Sequence, residues 1–226
     1  DTRQQHSHYY LSLLAQSEDP IKGSEQSAVV TALSTEISNL RQAWQWAITH
    51  TRITDLRRAF PTLLVFFEVR NWFQEGVTFF QQAVEGLRAT AADLPPEPVA
   101  ADSREWRLCL GEMKTGQGFF LFRRGQIDPP AEAGQTTSAS TRAVTLLRDS
   151  LALLESLGDP TTLAYANLCL GIAHYTMGDF EPARQVLQTG LKISRALADR
   201  WLTAVHLGYL GMIAYTQGEW GEAEQT

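Results

Sequence analysis

The chain repeats its own sequence at an interval of 40 residues. The segment LGIAHYTMGDFEPA at residues 170–183 returns in outline as LGMIAYTQGEWGEA at residues 210–223. Seven of the pairs of identical residues at this interval are Asp159/Asp199, Ala164/Ala204, Leu170/Leu210, Gly171/Gly211, Tyr175/Tyr215, Gly178/Gly218 and Ala183/Ala223. Identities that recur at a fixed spacing are typical of a chain built from successive copies of one supersecondary unit.

Each copy has the pattern of two helices joined by a tight turn. Small and apolar residues follow three- and four-residue steps on both sides of Gly178 and Asp179, which interrupt the pattern. We expect Gly171 to permit close approach of the second helix, Gly178 to let the backbone turn, and Ala183 to be the small packing partner. The sequence therefore predicts helical hairpins and an all-α fold.

Earlier hairpins are less regular. Two glycines in GFFLFRRGQI, residues 118–127, are spaced like those of the later copies, and AVTLLRDSLALLESLGDP from Ala143 aligns with ARQVLQTGLKISRALADR from Ala183. About 13 residues, DPPAEAGQTTSAS, separate its halves, and their composition predicts a flexible loop. A Pro-rich link occupies residues 93–103. We predict hairpins at about 54–91, 102–157, 160–198 and 200–226, the last one incomplete.

Charge and hydropathy exclude two classes of partner. The net charge of −6 and the isoelectric point near 5.4 argue against a nucleic-acid-binding surface, because phosphate backbones are held by clustered Lys and Arg. The longest apolar run, LLVFF at residues 63–67, is far shorter than the roughly 20 residues that span a bilayer. The N-terminus has no secretory signal pattern. We expect a cytoplasmic protein with no direct contact to nucleic acid or membrane.

No pattern of catalytic or metal-ligating residues stands out. Cys109 and Cys169 have no metal-ligand spacing, which favours buried hydrophobic roles. His6 and His8 would point to different faces of a helix, and we interpret His174 and His206 as core or groove residues. The segment GEMKTGQG, residues 111–118, lacks the glycine that a phosphate-binding loop has before its lysine. We predict that this chain is not an enzyme and holds no cofactor.

The later copies resemble the tetratricopeptide repeat. The residues that carry this resemblance are Leu170, Gly171, Tyr175, Gly178, Asp179, Phe180 and Ala183. Asn167 and Leu207 stand where the family has tryptophan, and the interval of 40 exceeds the usual period of about 34. The resemblance implies a right-handed superhelix of hairpins whose first helices line a concave face.

Residues 1–53 do not repeat, and they resemble the segment that follows the winged helix in bacterial STAND-class signal-transduction ATPases, the maltose-type transcriptional regulators among them. The residues concerned are Tyr9, Tyr10, Leu14, Gly23, Glu36, Asn39, Leu40, Arg41, Ala43, Trp46 and Ala47. The alternative for Asn39 and Arg41 is that they only cap or tether neighbouring helices. The chain opens at Asp1 without an initiator methionine and stops at GEAEQT within a helical pattern, so we expect further residues on both sides.

The resemblance implies a function for the whole chain. Residues 1–53 would link to an upstream ATPase and winged-helix part, and residues 54–226 would form a sensing arm. A small-molecule inducer, protein or peptide would bind the concave face and control the ATPase core, with assembly of protomers in the full-length protein. ATP would bind only in the upstream domain. The alternative is a generic tetratricopeptide scaffold for protein–protein interaction.

The inward positions of the first helices are the candidate binding residues. Carrying the template across the hairpins gives Phe119, Phe122, Arg123, Tyr165, Leu168, Ile172, Tyr175, Val205, Tyr209, Met212 and Tyr215. Tyrosines suit a groove that is apolar and still able to form hydrogen bonds. The alternative for each aromatic residue is a place in the core between repeats.

Overall fold

The computed structural model describes residues 2–93, 100–127 and 133–219, and within these ranges the chain forms helices and no strand. The helices are α1 (Thr2–Gln16), α2 (Glu18–Lys22), α3 (Gln26–Thr35), α4 (Ile37–Thr49), α5 (Ile53–Arg70), α6 (Phe73–Asp93), α7 (Ala100–Ile127), α8 (Ala133–Glu155), α9 (Pro160–Met177), α10 (Phe180–Ala196) and α11 (Arg200–Thr216). The prediction of an all-helical fold is confirmed for this part of the chain. None of its helices combines the length and the hydropathy that crossing a bilayer requires.

Parts of three predicted segments lie outside the described residues: residues 94–99 of the Pro-rich link, residues 128–132 of the insert, and residues 220–226 of the last hairpin. The expectation of a loop is wrong for the rest of the insert. Residues 133–140 form the first turns of α8. This run, AGQTTSAS, follows Pro129 and Pro130 and contains no proline that would break a helix.

Two compact units make up the chain, Asp1–Arg124 and Gly125–Thr226. This division differs from the predicted boundary after residue 53. In the first unit α5 packs against α1, α4 and α6, so the first predicted hairpin shares an interior with the N-terminal helices.

Aromatic rings fill the interior of the first unit. Trp44 of α4 is fully buried, and its indole Nε1 donates a hydrogen bond to the carbonyl oxygen of Phe79 at 2.9 Å. The rings of Phe60, Phe80 and Phe120 continue this cluster from α5 through α6 to α7, with centroids 5.8 and 5.9 Å apart. Burial of these large rings holds the four helices together.

Two glycines create space for these rings in a reciprocal arrangement. A Cβ atom at Gly76 of α6 would lie 2.6 Å from the ring of Phe120, and a Cβ atom at Gly116 of α7 would lie 2.7 Å from the ring of Phe80. A phenylalanine ring of each helix therefore packs against the glycine of the other helix. The approach of α6 to α7 depends on the absence of both side chains.

In the second unit the repeated aspartates and the glycines at positions 178 and 218 have matching structural roles. Asp159 caps α9 by accepting a hydrogen bond from the amide of Thr162 at 3.1 Å, and Asp199 caps α11 through the amide of Leu202 at 2.9 Å. Gly178 ends α9 with a positive φ of 81°. Part of the identity between the two copies therefore reflects the residues at which helices begin and turns follow.

The close contact predicted at Gly171 is present. Helices α9 and α10 pack against each other, and a Cβ atom at Gly171 would lie 2.5 Å from the Leu187 side chain of α10. Leu187 and Ala183 are both fully buried. A side chain at position 171 would push the two helices apart.

Candidate functional site

The structure divides the candidate binding residues by burial. In the first unit, Phe119 and Phe122 are buried. Arg123 is half-buried, with Nη2 2.8 Å from Glu68 Oε1 and the guanidinium carbon 4.9 Å from the centre of the Phe73 ring. These three residues make contacts within the unit and are not an open binding surface.

Tyr165, Leu168 and Ile172 of α9 are also buried. From Thr162 to His174, nearly every residue of α9 is inaccessible to solvent, so the exposed face that the helical pattern suggests is absent there. These positions match the alternative of a core role. A ligand would reach them only after neighbouring helices moved.

The remaining candidates lie at the surface of the second unit. Val205, Tyr209 and Met212 follow one another at steps of four and three residues, so they share one face of α11. Tyr175 of α9 joins them, because its ring meets the edge of the Tyr209 ring with centroids 5.7 Å apart. We call Tyr175, Val205, Tyr209 and Met212 the α9–α11 surface. The fifth candidate, Tyr215, is 62% exposed and lies about one turn of α11 beyond Met212.

The α9–α11 surface combines apolar contact area with hydrogen-bonding groups. Met212 is 40% exposed, and Val205, Tyr175 and Tyr209 are half-buried. Tyr175 also contacts the ring of Phe180, the first residue of α10, at a centroid separation of 6.1 Å. Two anchored aromatic rings beside an adaptable thioether suit recognition of a partly apolar ligand.

His174 of α9 contacts side chains of two neighbouring elements in the second unit. The imidazole is buried, with Nδ1 3.2 Å from Asp179 Oδ2 and Nε2 3.4 Å from Arg148 Nη2. Because the guanidinium can only donate, a neutral ring protonated at Nδ1 satisfies both contacts. His174 therefore ties α8 to the turn between α9 and α10, as the interpretation of a core histidine expects.

His206 is fully buried between α10 and α11. Its Nδ1 lies 2.7 Å from the carbonyl oxygen of Leu202, so Nδ1 carries the proton and donates it. Nε2 faces Gly190 and has no hydrogen-bond partner within the described part of the chain. Burial lowers the pKa of His206, because a charged ring would lose its hydration.

The conspicuous residues of the N-terminal motif connect helices. Tyr10 of α1 donates a hydrogen bond to Glu36 Oε2 at 2.9 Å, and Asn39 of α4 donates to the same oxygen at 2.7 Å. The hydrogen bond from Asn39, followed by that from Tyr10, holds the pKa of Glu36 below its usual value. Arg41 forms an ion pair with Glu75 of α6 at 2.7 Å. These contacts match the alternative in which Asn39 and Arg41 tether neighbouring helices.

One buried ion pair was not predicted from the sequence. Glu112 of α7 is buried, and its two carboxylate oxygens each accept a hydrogen bond from Arg57 Nε at 3.1 Å. Arg57 also pairs with Glu105. These residues are some 50 positions apart in the chain and follow no motif, so only the packing of α5 against α7 brings them together.

The two cysteines lie in the interior of the described structure. Cys109 and Cys169 are buried, and burial raises the pKa of the Cys109 thiol well above its ordinary value, which keeps it protonated. Across the described ranges, no three His, Cys, Asp or Glu residues are grouped so that they could hold a metal ion.

The sequence matches no known protein-family model, and it has no significant match among curated proteins.

Proposed function

We propose that this chain is the sensing arm of a STAND-class signal-transduction ATPase and is not itself catalytic. The arm would consist of tetratricopeptide-like hairpins arranged as a right-handed superhelix. Support comes from the shared helix caps at Asp159 and Asp199, the glycine-ended turn at Gly178, and the resemblance of the segment around Glu36 and Asn39 to that family.

The observation that carries the proposal is the α9–α11 surface. It places the rings of Tyr175 and Tyr209 in contact on two different helices that occupy corresponding places in successive repeats. A ligand that binds both rings spans the joint between those repeats. Binding there is therefore sensitive to the angle between them.

The mechanism follows from this placement. A ligand that prefers one arrangement of α9 and α11 increases the population of that arrangement, by no more than its difference in affinity for the two. In a repeat array each unit contacts its neighbours only, so a small rotation at one joint displaces everything beyond it. This displacement would change the contacts between the arm and the upstream ATPase core.

The first experiment is a thermal-shift screen of the chain against metabolites, free peptides and ATP. A ligand at 100 times its Kd stabilises the folded state by about 2.7 kcal/mol. We expect a shift from an inducer that is lost in Tyr209→Ala and retained in the control Tyr9→Ala, which removes an exposed tyrosine of the first unit.

The outcomes separate the candidate functions. A shift with peptides alone would identify a peptide as the ligand, and the generic scaffold would then be favoured if that peptide leaves ATP hydrolysis by the complete gene product unchanged. A shift with ATP would place nucleotide binding in this chain and contradict the assignment of the sensing role. An inducer shift that survives in a folded Tyr209→Ala variant would exclude the α9–α11 surface as its binding site.

A further inference from the structure

The imidazole of His206 is paired on one side only at the contact between α10 and α11. The side chain is fully buried, and its Nδ1 donates a hydrogen bond to the carbonyl oxygen of Leu202 at 2.7 Å. Since a neutral imidazole carries one proton, Nε2 has a bare lone pair. That lone pair has no hydrogen-bond partner among the residues that the structure describes.

The absence of a side chain at Gly190 makes this contact possible. A Cβ atom at position 190 would collide with Nε2 of His206, so the imidazole lies directly on the backbone of α10. The hydroxyl of Ser194 donates a hydrogen bond to the carbonyl oxygen of Gly190 at 2.8 Å and lies 3.3 Å from Nδ1 of the ring. A second ring proton, at Nε2, would therefore point at the α10 backbone.

Within α9, α10 and α11, little charge is available to balance a protonated ring. Helix α9 contains no Asp, Glu, Lys or Arg, and its titratable side chains are Tyr165, Cys169, His174 and Tyr175. The charged side chains of α10 lie outside the buried face of that helix: Glu181, Arg184, Lys192 and Arg195. Arg200 of α11 is exposed. The carboxylate of Asp199 attracts a protonated ring, but it already accepts a hydrogen bond from the amide of Leu202.

Helix α11 is attached to α10 more firmly at its start than at its end. At the start, the amides of Ala198 and Asp199 donate hydrogen bonds to carbonyl oxygens in the last turn of α10, at 3.1 and 3.0 Å. At the far end, Arg184 of α10 donates hydrogen bonds to Gln217 and Glu219, each at 2.6 Å. The side chain of Glu219 is 43% exposed, and exposed ion pairs contribute little. A charged ring between these attachments therefore favours opening at the far end.

We propose that protonation of His206 opens the contact between α10 and α11, which makes this contact a pH-sensitive joint within the second unit. The positive ring needs water at Nε2, and water reaches it when α11 moves away from Gly190. Tyr209 lies one turn beyond His206 on the moving part of α11, whereas Tyr175 belongs to α9. Opening therefore separates the two rings of the α9–α11 surface. The inference concerns the joint alone and does not depend on the proposed sensing function.

Amide hydrogen exchange of the native chain at pH 7.5 and pH 5.5 tests the joint, after correction for the intrinsic pH dependence of exchange. An imidazole in the open state, with an ordinary pKa of about 6.5, binds one proton over this interval, so the opening equilibrium constant increases about tenfold. We expect about tenfold lower protection at pH 5.5 for residues 206–214 of α11. Residues 164–173 of α9, which contact α10 through Gly171, should keep their protection.

The variant His206→Asn identifies the group responsible. Asparagine keeps a donor for the carbonyl oxygen of Leu202 and does not take up a proton in this range. Its α11 protection should be equal at the two pH values. The control His8→Asn changes an exposed histidine of the first unit and should behave as the native chain does.

A titration of the His206 imidazole by NMR in the native chain gives an answer even if His206→Asn does not fold. Protonation of the ring and the fall in α11 protection should have the same midpoint. Equal α11 protection at both pH values, an equal fall in α9 and α11, or a pH dependence that persists in folded His206→Asn would overturn the proposal.

Discussion

Gly116 and Gly125 lie on the same helix and have opposite surroundings. A Cβ atom at Gly116 would meet the Phe80 ring at 2.7 Å, whereas one at Gly125 would have no neighbour within 4 Å among the residues that the structure describes. Glycine is therefore required by packing at the first position, while at the second it only lowers the helix propensity of α7. The two positions distinguish a packing effect from a backbone effect.

Replacing these glycines by alanine should change stability in opposite directions. We expect Gly116→Ala to lower the free energy of unfolding by about 1–3 kcal/mol, because the ring of Phe80 must shift in a filled interior. Gly125→Ala should raise it by about 0.5–1 kcal/mol. Urea unfolding measures both, and a Gly116→Ala variant as stable as the native chain would show that the ring moves without cost.

His206 makes stability depend on pH. Its pKa in the folded chain is lowered, chiefly by burial, while the hydrogen bond to the carbonyl oxygen of Leu202 and then the carboxylate of Asp199 oppose the shift only in part. Protonation would put an N–H at Nε2 against Gly190, where the described residues offer no acceptor. The stabilising contribution is therefore complete above the unfolded pKa of about 6.5 and is lost as the pH falls from there toward the folded pKa.

The expected result is a steeper loss of stability between pH 7 and pH 5 in the native chain than in His206→Asn. The difference in slope is at most about 1.4 kcal/mol per pH unit, the limit for one proton. Denaturant titrations at several pH values measure it, with the exposed His8→Asn as the control. Parallel slopes for the native and His206→Asn chains would contradict the assigned cause.

At the scale of the helix, local signals set where elements begin and end. Asp159 with Pro160 starts α9, and Gly178 ends it in the left-handed conformation. These signals involve residues close in sequence, so the hairpin pattern could be predicted from the sequence in this region.

We expect Asp159→Ala to destabilise the second unit by about 1 kcal/mol, because the amide of Thr162 loses its acceptor at the first turn of α9. Asp149→Ala, within α8 and exposed, is the matched control and should have little effect. Thermal unfolding followed by circular dichroism measures both. A loss of the same size in the two variants would mean that charge, not capping, is responsible.

Which face of each helix stays open could not be predicted from spacing. Tyr165, Leu168 and Ile172 have the periodicity of a groove, yet they are buried, because burial depends on neighbours from distant parts of the chain. Arg57 and Glu112 illustrate the same limit, since nothing local marks them as partners. The α9–α11 surface was partly predicted because Tyr175 and Tyr209 occupy inward positions of the template.

At the scale of the molecule, the two units contain different kinds of feature. Asp1–Arg124 holds an aromatic interior and side-chain tethers such as Asn39 to Tyr10, which suit a rigid connection to other parts of a protein. Gly125–Thr226 holds the hairpin of α9 and α10 and the α9–α11 surface. In the proposed regulator the second unit would receive the signal and the first would adjoin the ATPase core.

The most direct test of this account is the ATP hydrolysis rate of the complete gene product with and without the inducer found by the thermal-shift screen. We expect the inducer to raise hydrolysis in the native protein and not in Tyr209→Ala. A complete product that hydrolyses no ATP, or one whose hydrolysis is unchanged by a bound inducer, would contradict it.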